Sequence, residues 1–132
     1  MKEGIGIRSR IWLVNSEDEV VFGHGRARIL KAVNETGSMA QAARTLGMSY
    51  RAVWGKIKAT EERLGVKLVT KCVGRRKGNN TCLTPTARIL IDRFERLDSI
   101  ATSHVDKTAE ELFDFDLDKV ASEMEAENEQ AE

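Results

Sequence analysis

The sequence has few of the residues that metal sites, disulfide frameworks and catalytic centres require. Its two cysteines are too few for a disulfide framework, and His24 and His104 stand in no cluster with metal-ligand spacing. No paired carboxylates and no nucleophile–base pattern rise above chance, so we expect no enzyme activity. Apolar runs are too short to cross a bilayer, and there is no signal-peptide pattern. We therefore expect a cytoplasmic protein without metal, cofactor or membrane association.

Charge is distributed unevenly along the 132 residues, although the net charge is zero. Residues 1–97 contain 19 Lys and Arg against 9 Asp and Glu, whereas residues 98–132 contain 2 Lys against 12 Asp and Glu. The first balance, +10, suits a polyanionic partner, because phosphate contacts release counterions. The second, −10, suits solvation, a protein partner or shielding of the basic region. One hypothesis is that Glu110–Glu132 folds over the basic face and competes with the polyanionic partner.

The N-terminal sequence predicts a β-hairpin. Apolar and polar residues alternate from Ile5 to Val14, which is the pattern of a strand with one buried side. Asn15–Asp18 supplies turn residues, and Glu19–Phe22 is the predicted return strand. Gly23 and Gly25 then end the pattern before a helix.

Three helices are predicted after the hairpin. The first covers Arg26–Thr36, where apolar residues recur at three-and-four spacing. The second covers about Met39–Leu46, and Ser38 is placed to cap it. Gly47 provides the tight turn of a helix-turn-helix, and the third helix runs from its cap at Ser49 to about Leu64.

The third helix has a core-facing side and a side available to a partner. The residues spaced for the core are Val53, Ile57, Thr60 and Leu64. Because an α-helix fits the major groove of DNA, the other side is the predicted reader. The predicted DNA contacts of the helix-turn-helix are Ser38, Ser49, Tyr50, Arg51, Trp54 and Lys58. In the alternative interpretation, Tyr50 and Trp54 pack against the wing or the core.

A basic hairpin is predicted after the third helix. Its strands are Val66–Val73 and Thr81–Leu83, and its loop carries three adjacent cations, Arg75, Arg76 and Lys77. In a winged helix such a loop follows the phosphates or enters the minor groove, so these cations are predicted DNA contacts. The alternative is a solvated hairpin tip.

Two cysteines flank this loop. Cys72 and Cys82 are equidistant from Lys77, so a regular hairpin would place them opposite each other, within reach of a disulfide. A redox switch is one interpretation. Two small apolar residues in a reducing cytosol is the other.

A long C-terminal helix is predicted from Pro85, with Thr84 as its cap. Apolar residues at heptad-like spacing indicate a dimer seam, and these are Leu90, Phe94, Leu97 and Ala101. Beyond about Phe115 the sequence is acidic and rich in alanine, so we expect a frayed helix or disorder.

The segment between Gly37 and Val69 resembles a known family of regulators. The matching residues are Gly37-Ser38, Ala42-Ala43, Gly47-Met48-Ser49-Tyr50-Arg51, Trp54, Leu64-Gly65 and Leu68-Val69. A Ser-Tyr-basic start with tryptophan four residues after the tyrosine is the most specific part. On these residues the chain resembles the N-terminal DNA-binding domain of the ModE family of molybdate-responsive transcription regulators. A weaker Ala-Ala…Leu-Gly…Leu-Thr-Pro frame is shared with the LysR family.

The resemblance extends over about Ile5–Leu97. It implies a homodimer, DNA recognition by the helix that starts at Ser49, and wing contacts near Gly74–Asn80. Charged residues and asparagines replace much of the family's glycine-rich wing. Family members also carry C-terminal oxyanion-binding domains, for which the acidic region of this chain is too short. Molybdate sensing is therefore not among the expectations, and the effector is left open.

The predicted fold class is α+β, mostly α. The architecture is a winged helix-turn-helix with an N-terminal β-hairpin and a long C-terminal dimerisation helix. Residues 1–103 are the predicted DNA-binding domain, whose dimerisation helix covers about 85–103 or more, and residues 104–132 are an acidic tail. We predict a sequence-specific transcription regulator, similar to ModE, whose partners are double-stranded DNA and a second copy of the chain. The alternative is a protein-interaction module that uses the winged helix and the acidic tail without specific DNA binding.

Overall fold

The computed structural model describes residues 4–73, 80–113 and 117–131. Two compact units divide the chain: Arg10–Leu97, and Met1–Ser9 together with Asp98–Glu132. The elements in chain order are β1 (Trp12–Val14), β2 (Val20–Gly23), α1 (His24–Thr36), α2 (Met39–Leu46), α3 (Tyr50–Leu64), β3 (Val69–Lys71), β4 (Thr81–Leu83), α4 (Pro85–Phe113) and α5 (Leu117–Ala131). This confirms the predicted fold class, with its N-terminal hairpin and long C-terminal helix.

The N-terminal hairpin is shorter than its sequence pattern predicts. Strands β1 and β2 pair antiparallel, with Trp12 opposite Gly23. The Asn15 side chain closes the turn, because its Oδ1 accepts the backbone N–H groups of Glu17 (3.0 Å) and Glu19 (2.9 Å). Residues 5–11 are not in a strand, so the predicted strand from Ile5 was wrong at its start. The reason is that β2 has only four residues and offers these positions no pairing partner.

The helix-turn-helix forms as predicted because each boundary has its own chemistry. Gly47 adopts φ 66°, a left-handed conformation that costs glycine little, and so turns the chain sharply between α2 and α3. Ser38 Oγ caps α2 by accepting the N–H of Gln41 at 3.2 Å. Ser49 Oγ caps α3 by accepting the N–H of Ala52 at 3.1 Å.

The core of the Arg10–Leu97 unit joins β2 to α1, α3 and α4. The edge of the Phe22 ring meets Phe94, with ring centroids 5.2 Å apart. Val53 is fully buried on α3, as predicted, but Leu64 is 36% exposed, so its assignment to the core was wrong. Glu61 is buried instead, because the chain that turns back after α3 brings the backbone N–H of Leu68 to its carboxylate.

The wing hairpin has a different register from the predicted one. Strands β3 and β4 pair antiparallel with Thr70 opposite Cys82, and the N–H of Cys72 donates to the carbonyl of Asn80 at 2.8 Å. The two cysteines are therefore diagonal neighbours, and the prediction that they lie opposite each other was wrong. They are nevertheless joined by a disulfide, with their Cα atoms 5.8 Å apart.

The fourth helix begins with the predicted cap. Thr84 Oγ1 accepts the N–H of Ala87 at 3.1 Å and donates to the carbonyl of Lys67 at 2.7 Å. One hydroxyl thus fixes both the start of α4 and the segment that leads into the wing. The acidic C-terminal sequence is helical in α5.

Candidate nucleic-acid interface

The first turns of α3 present an exposed side that carries aromatic and cationic groups. Tyr50 is 53% exposed and Trp54, one turn later, is 45% exposed. Arg51 is also exposed and makes no ion pair with any carboxylate among the described residues. Neither ring belongs to the core, so the side predicted for a partner is accessible to one.

The two serines predicted as contacts are bound to their own helices. Ser38 Oγ and Ser49 Oγ each accept the backbone N–H three residues ahead, as caps of α2 and α3. Each hydroxyl retains one O–H donor, which suits a phosphate oxygen at the start of a helix. Their structural role as caps is visible in the structure, and their role as DNA contacts stays a prediction.

Lys58 lies on the border between the exposed and buried sides of α3. Its Nζ is 3.0 Å from Glu61 Oε1, and its side chain is 32% exposed. The same ammonium lies 6.0 Å from the centroid of the Trp54 ring. At these distances Lys58 neutralises a buried carboxylate and supports Trp54, so less of its charge is available to DNA than that of Arg51.

Glu61 was not singled out in the sequence, although it organises the end of α3. It is 6% exposed, and its Oε2 accepts the backbone N–H groups of Leu68 at 2.7 Å and Val69 at 3.3 Å. Burial alone raises the pKa of this carboxyl, but the hydrogen bond from Leu68, the bond to Lys58 and the bond from Val69 together lower it. Glu61 therefore connects α3 to the first wing strand as an ionised group.

Two further arginines hold the N-terminal hairpin and α1 against α3. Arg63 donates from Nη1 to the carbonyl of Val20 at 2.6 Å and from Nη2 to Glu19 Oε2 at 3.1 Å. Arg26 donates from Nε to Thr60 Oγ1 at 2.8 Å. Burial lowers the pKa of Arg26, and the nearby charge of Arg63 adds to this effect. No spacing rule predicts these contacts, because their partners lie more than thirty residues away in sequence.

The predicted wing contacts Arg75, Arg76 and Lys77 lie outside the described residues. The structure does show how the hairpin that carries them is anchored. Backbone pairing of β3 with β4 and the Cys72–Cys82 disulfide join its two strands just before the loop.

The residues predicted for the dimer seam have unequal exposure. Phe94 is 3% exposed and belongs to the core, and Leu90 is partly buried against it. Leu97 is 44% exposed and Ala101 is half-buried. Phe94 is therefore committed to the fold of the monomer, whereas Leu97 remains available to another chain.

Comparison with known proteins finds sequences similar to these elements among bacterial regulatory proteins. Residues 25–88 match the family model described as bacterial regulatory helix-turn-helix protein, lysR family. The chain is 34% identical over 78 residues to the molybdenum-pterin-binding protein MopB of Rhodobacter capsulatus, a match that covers 59% of this chain. It is 31% identical over 87 residues to the molybdenum transport protein ModE of Azotobacter vinelandii, with 66% of this chain covered.

Among solved structures, full-length LTTR LysG of Corynebacterium glutamicum aligns with a TM-score of 0.50 at 20% identity, over 70% of this chain and 30% of LysG. That likeness supports the fold alone. The matches with the curated relatives cover 29% of MopB and 32% of ModE, so the chain spans about a third of their length. These matches confirm the resemblance to ModE, which Ser49-Tyr50-Arg51 and Trp54 indicated. They also confirm the resemblance to the LysR family, which the Ala-Ala…Leu-Gly…Leu-Thr-Pro frame indicated. No helix among the described residues is long and apolar enough to cross a membrane.

Proposed function

Since residues 25–88 match the family model described as bacterial regulatory helix-turn-helix protein, lysR family, we propose that this protein is a sequence-specific DNA-binding transcription regulator. The observation that carries the proposal is the exposed group Tyr50, Arg51 and Trp54 at the capped start of α3. These side chains stand within the matched segment, on the helix that a helix-turn-helix inserts into the major groove.

In the proposed complex α3 contacts the bases. The Arg51 guanidinium can donate two hydrogen bonds to O6 and N7 of one guanine, the commonest specific contact in the major groove. The Tyr50 and Trp54 rings suit thymine methyl groups and sugars, because both combine an apolar face with a polar edge. The O–H groups of Ser38 and Ser49 suit the flanking phosphates.

In the proposed complex the basic region of the chain binds the DNA phosphates. Residues 1–97 carry an excess of ten positive charges, and three of the cations, Arg75, Arg76 and Lys77, are adjacent in the wing loop. Each phosphate that a lysine or arginine neutralises adds a counterion-release contribution, and this makes the affinity depend on salt. In this proposal α3 therefore supplies most of the sequence specificity, and the wing supplies much of the non-specific affinity for DNA.

A homodimer is part of the proposal. The exposed Leu97 on α4 supports it, because a large apolar side chain at 44% exposure is covered when a second copy packs there. Two α3 helices would then read half-sites about one helical turn apart, roughly 34–36 Å.

The proposed dimer contact predicts that a charge at Leu97 prevents dimerisation. Leu97→Glu places a charge in the apolar contact, so the molar mass measured by light scattering should fall from that of a dimer to that of a monomer. Ser99→Glu, an exposed position nearby on α4, is the matched control and should stay dimeric. A dimeric Leu97→Glu variant, or a monomeric wild-type protein, would contradict the proposed dimer.

DNA binding is tested with a duplex selected by the protein from a random pool and with a scrambled duplex of equal length. Fluorescence anisotropy at several salt concentrations should give at least a thousandfold preference for the selected duplex, and an affinity that falls steeply with salt. Equal binding of both duplexes would reject sequence-specific recognition, and no binding to either at low salt would reject DNA binding.

A further inference from the structure

A cleft on another side of the helix-turn-helix combines positive charge with an exposed indole. Its volume is about 260 Å³, and its lining includes Trp12, Arg26, Arg28, Lys56 and Met48. All of these belong to the Arg10–Leu97 unit. No carboxylate lines the cleft, and within the described part of the chain neither Arg28 nor Lys56 forms an ion pair. Three cations therefore face one concave space without a neutralising partner there.

A second cavity of similar size shows that this composition is specific to the cleft. That cavity has a volume of about 270 Å³ and is lined by two lysines, Lys58 and Lys67, and by two glutamates, Glu61 and Glu62. Its charges balance, and Lys58 and Glu61 already bind each other at 3.0 Å. The two cavities differ in charge and not in size, so only the first presents an unbalanced positive lining to an anion.

One cation of the cleft, Arg26, is held in position by the fold. Thr60 Oγ1 donates to the carbonyl of Lys56 at 3.0 Å and accepts a hydrogen bond from Arg26 Nε at 2.8 Å. This chain of hydrogen bonds ties Arg26 on α1 to the turn of α3 that carries Lys56. A bound anion would thus meet at least one guanidinium whose orientation is already fixed, which reduces the entropy lost on binding.

The indole is held at the cleft by a glycine. Trp12 and Gly23 are cross-strand partners, and a Cβ atom at Gly23 would lie 2.7 Å from Cδ1 of Trp12. Only glycine lets the ring lie this close to the β2 backbone. Even so, Trp12 is 55% exposed, which leaves much of the ring accessible to a planar group.

The cleft faces away from the proposed reading side of α3. Lys56 follows Arg51 by five residues, which places the two side chains about 140° apart around the helix axis. Lys56 follows Trp54 by two residues, about 200° around the axis, so these two lie on nearly opposite sides. A helix that presents Arg51 and Trp54 to the major groove therefore turns Lys56 away from it.

We propose that this cleft binds a small anion that carries a planar aromatic group, with the anion beside Arg26, Arg28 and Lys56 and the planar group against Trp12. The volume of about 260 Å³ is just below the range of pockets for drug-sized ligands, so the ligand is of about nucleotide size. The apolar floor, which includes Ile29, Leu46 and Met48, suits the planar part and excludes a fully hydrated ion. This inference does not rest on the proposed function, since no DNA contact enters it.

The test uses the full chain with Trp54→Phe, so that Trp12 is the remaining tryptophan and its fluorescence reports on the cleft. The probes are adenosine 5′-monophosphate, which has both parts, adenosine, which has the planar part alone, and inorganic phosphate. Titration with the nucleotide should change the Trp12 fluorescence until the site is saturated. Adenosine and phosphate should each bind at least about tenfold more weakly than the nucleotide. A change that does not saturate, or equal binding of phosphate and nucleotide, would overturn the proposal.

Variants locate the site. Arg28→Ala and Lys56→Ala should each weaken nucleotide binding about tenfold, as expected for the loss of one charge-assisted hydrogen bond. Arg88→Ala, which removes an exposed arginine on α4, is the matched control and should leave binding unchanged. The alternative occupant is DNA itself. If Arg28→Ala and Lys56→Ala lowered duplex affinity as much as Arg51→Ala and left nucleotide binding intact, the cleft would be a phosphate-contact surface and the proposal would be wrong.

Discussion

The polar groups on the two sides of α3 differ in whether the fold already binds them. On the exposed side Arg51 has no acidic partner among the described residues, and the Tyr50 and Trp54 rings are about half exposed. On the inner side Glu61 is buried and makes three hydrogen bonds, to Lys58 and to the backbone of Leu68 and Val69. The inner carboxylate is therefore satisfied within the fold, whereas the outer guanidinium has no acidic partner among the described residues.

This difference shows how one helix can be held rigidly by the fold on one side and remain accessible to a binding partner on the other. The inner side fixes α3 to the wing through a carboxylate whose hydrogen bonds satisfy two backbone N–H groups. Within the described part of the chain, no hydrogen-bond acceptor binds the donors of Tyr50, Arg51 and Trp54 on the outer side, so these donors keep their capacity to bind another molecule. Substitutions on the inner side should therefore change stability first, and substitutions on the outer side should change DNA recognition first.

The largest expected effect on stability follows from Glu61→Ala. The variant leaves the N–H groups of Leu68 and Val69 without their acceptor and removes the partner of Lys58. We expect the free energy of unfolding to fall by about 3 kcal/mol, measured by urea denaturation followed by circular dichroism. Glu62→Ala, the exposed neighbour on the same helix, is the control and should cost less than about 0.5 kcal/mol. If both variants had the same stability, the inner side would not depend on Glu61.

The charge of Glu61 also predicts a pH dependence. Its pKa is lowered in the folded protein from an ordinary value of 4.5, so between these two values the unfolded state binds more protons than the folded state. The stabilisation is fully present above about pH 4.5 and is lost as the pH falls through the folded pKa.

Urea denaturation between pH 6 and pH 3 should therefore show a smaller loss of stability in Glu61→Gln than in the wild type. Part of the loss should remain, because a hydrogen bond from Asn15 and the charge of Arg63 also lower the pKa of Glu19. Identical profiles for Glu61→Gln and the wild type would contradict this role of the ionised carboxylate.

A smaller effect is expected for Lys58, which lies between the two sides. Lys58→Met keeps most of the alkyl chain and removes the charge, so Glu61 retains its two backbone donors. We expect a loss of about 1 kcal/mol in the free energy of unfolding. The affinity for the selected duplex should change by less than about threefold, because Glu61 already binds the Lys58 ammonium. A threefold change corresponds to well under 1 kcal/mol. A loss of duplex affinity as large as that of Arg51→Ala, with unchanged stability, would assign Lys58 to the outer side.

Local chemistry made much of the fold predictable from the sequence. Ser38, Gly47, Ser49 and Thr84 each act within a few residues of their own position, and the caps and turn that they predict are present. Features that depend on distant partners were not predictable. The spacing of α3 favoured Leu64 for the core, yet Glu61 is buried there because Leu68 and Val69 present backbone donors to it.

The same distinction applies to the wing, the dimer seam and the candidate site. Heptad spacing grouped Phe94 with Leu97, but packing against Phe22 turns Phe94 into the core. Counting from Lys77 placed the cysteines opposite each other, whereas pairing of β3 with β4 makes them diagonal. The exposed side of α3 could be predicted because it needs only the periodicity of one helix. The basic cleft could not, because it joins side chains of β1, α1 and α3.

The central claim is that the exposed side of α3 reads DNA sequence, and the most direct measurement compares Arg51→Ala with the wild type on the selected and scrambled duplexes. Removal of a bidentate base contact should lower affinity for the selected duplex roughly 10- to 100-fold. Affinity for the scrambled duplex should stay within about threefold, because non-specific binding depends mostly on phosphates that other cations contact. The ratio of the two affinities should therefore collapse in Arg51→Ala. An unchanged ratio, whether both affinities fall together or neither falls, would contradict it.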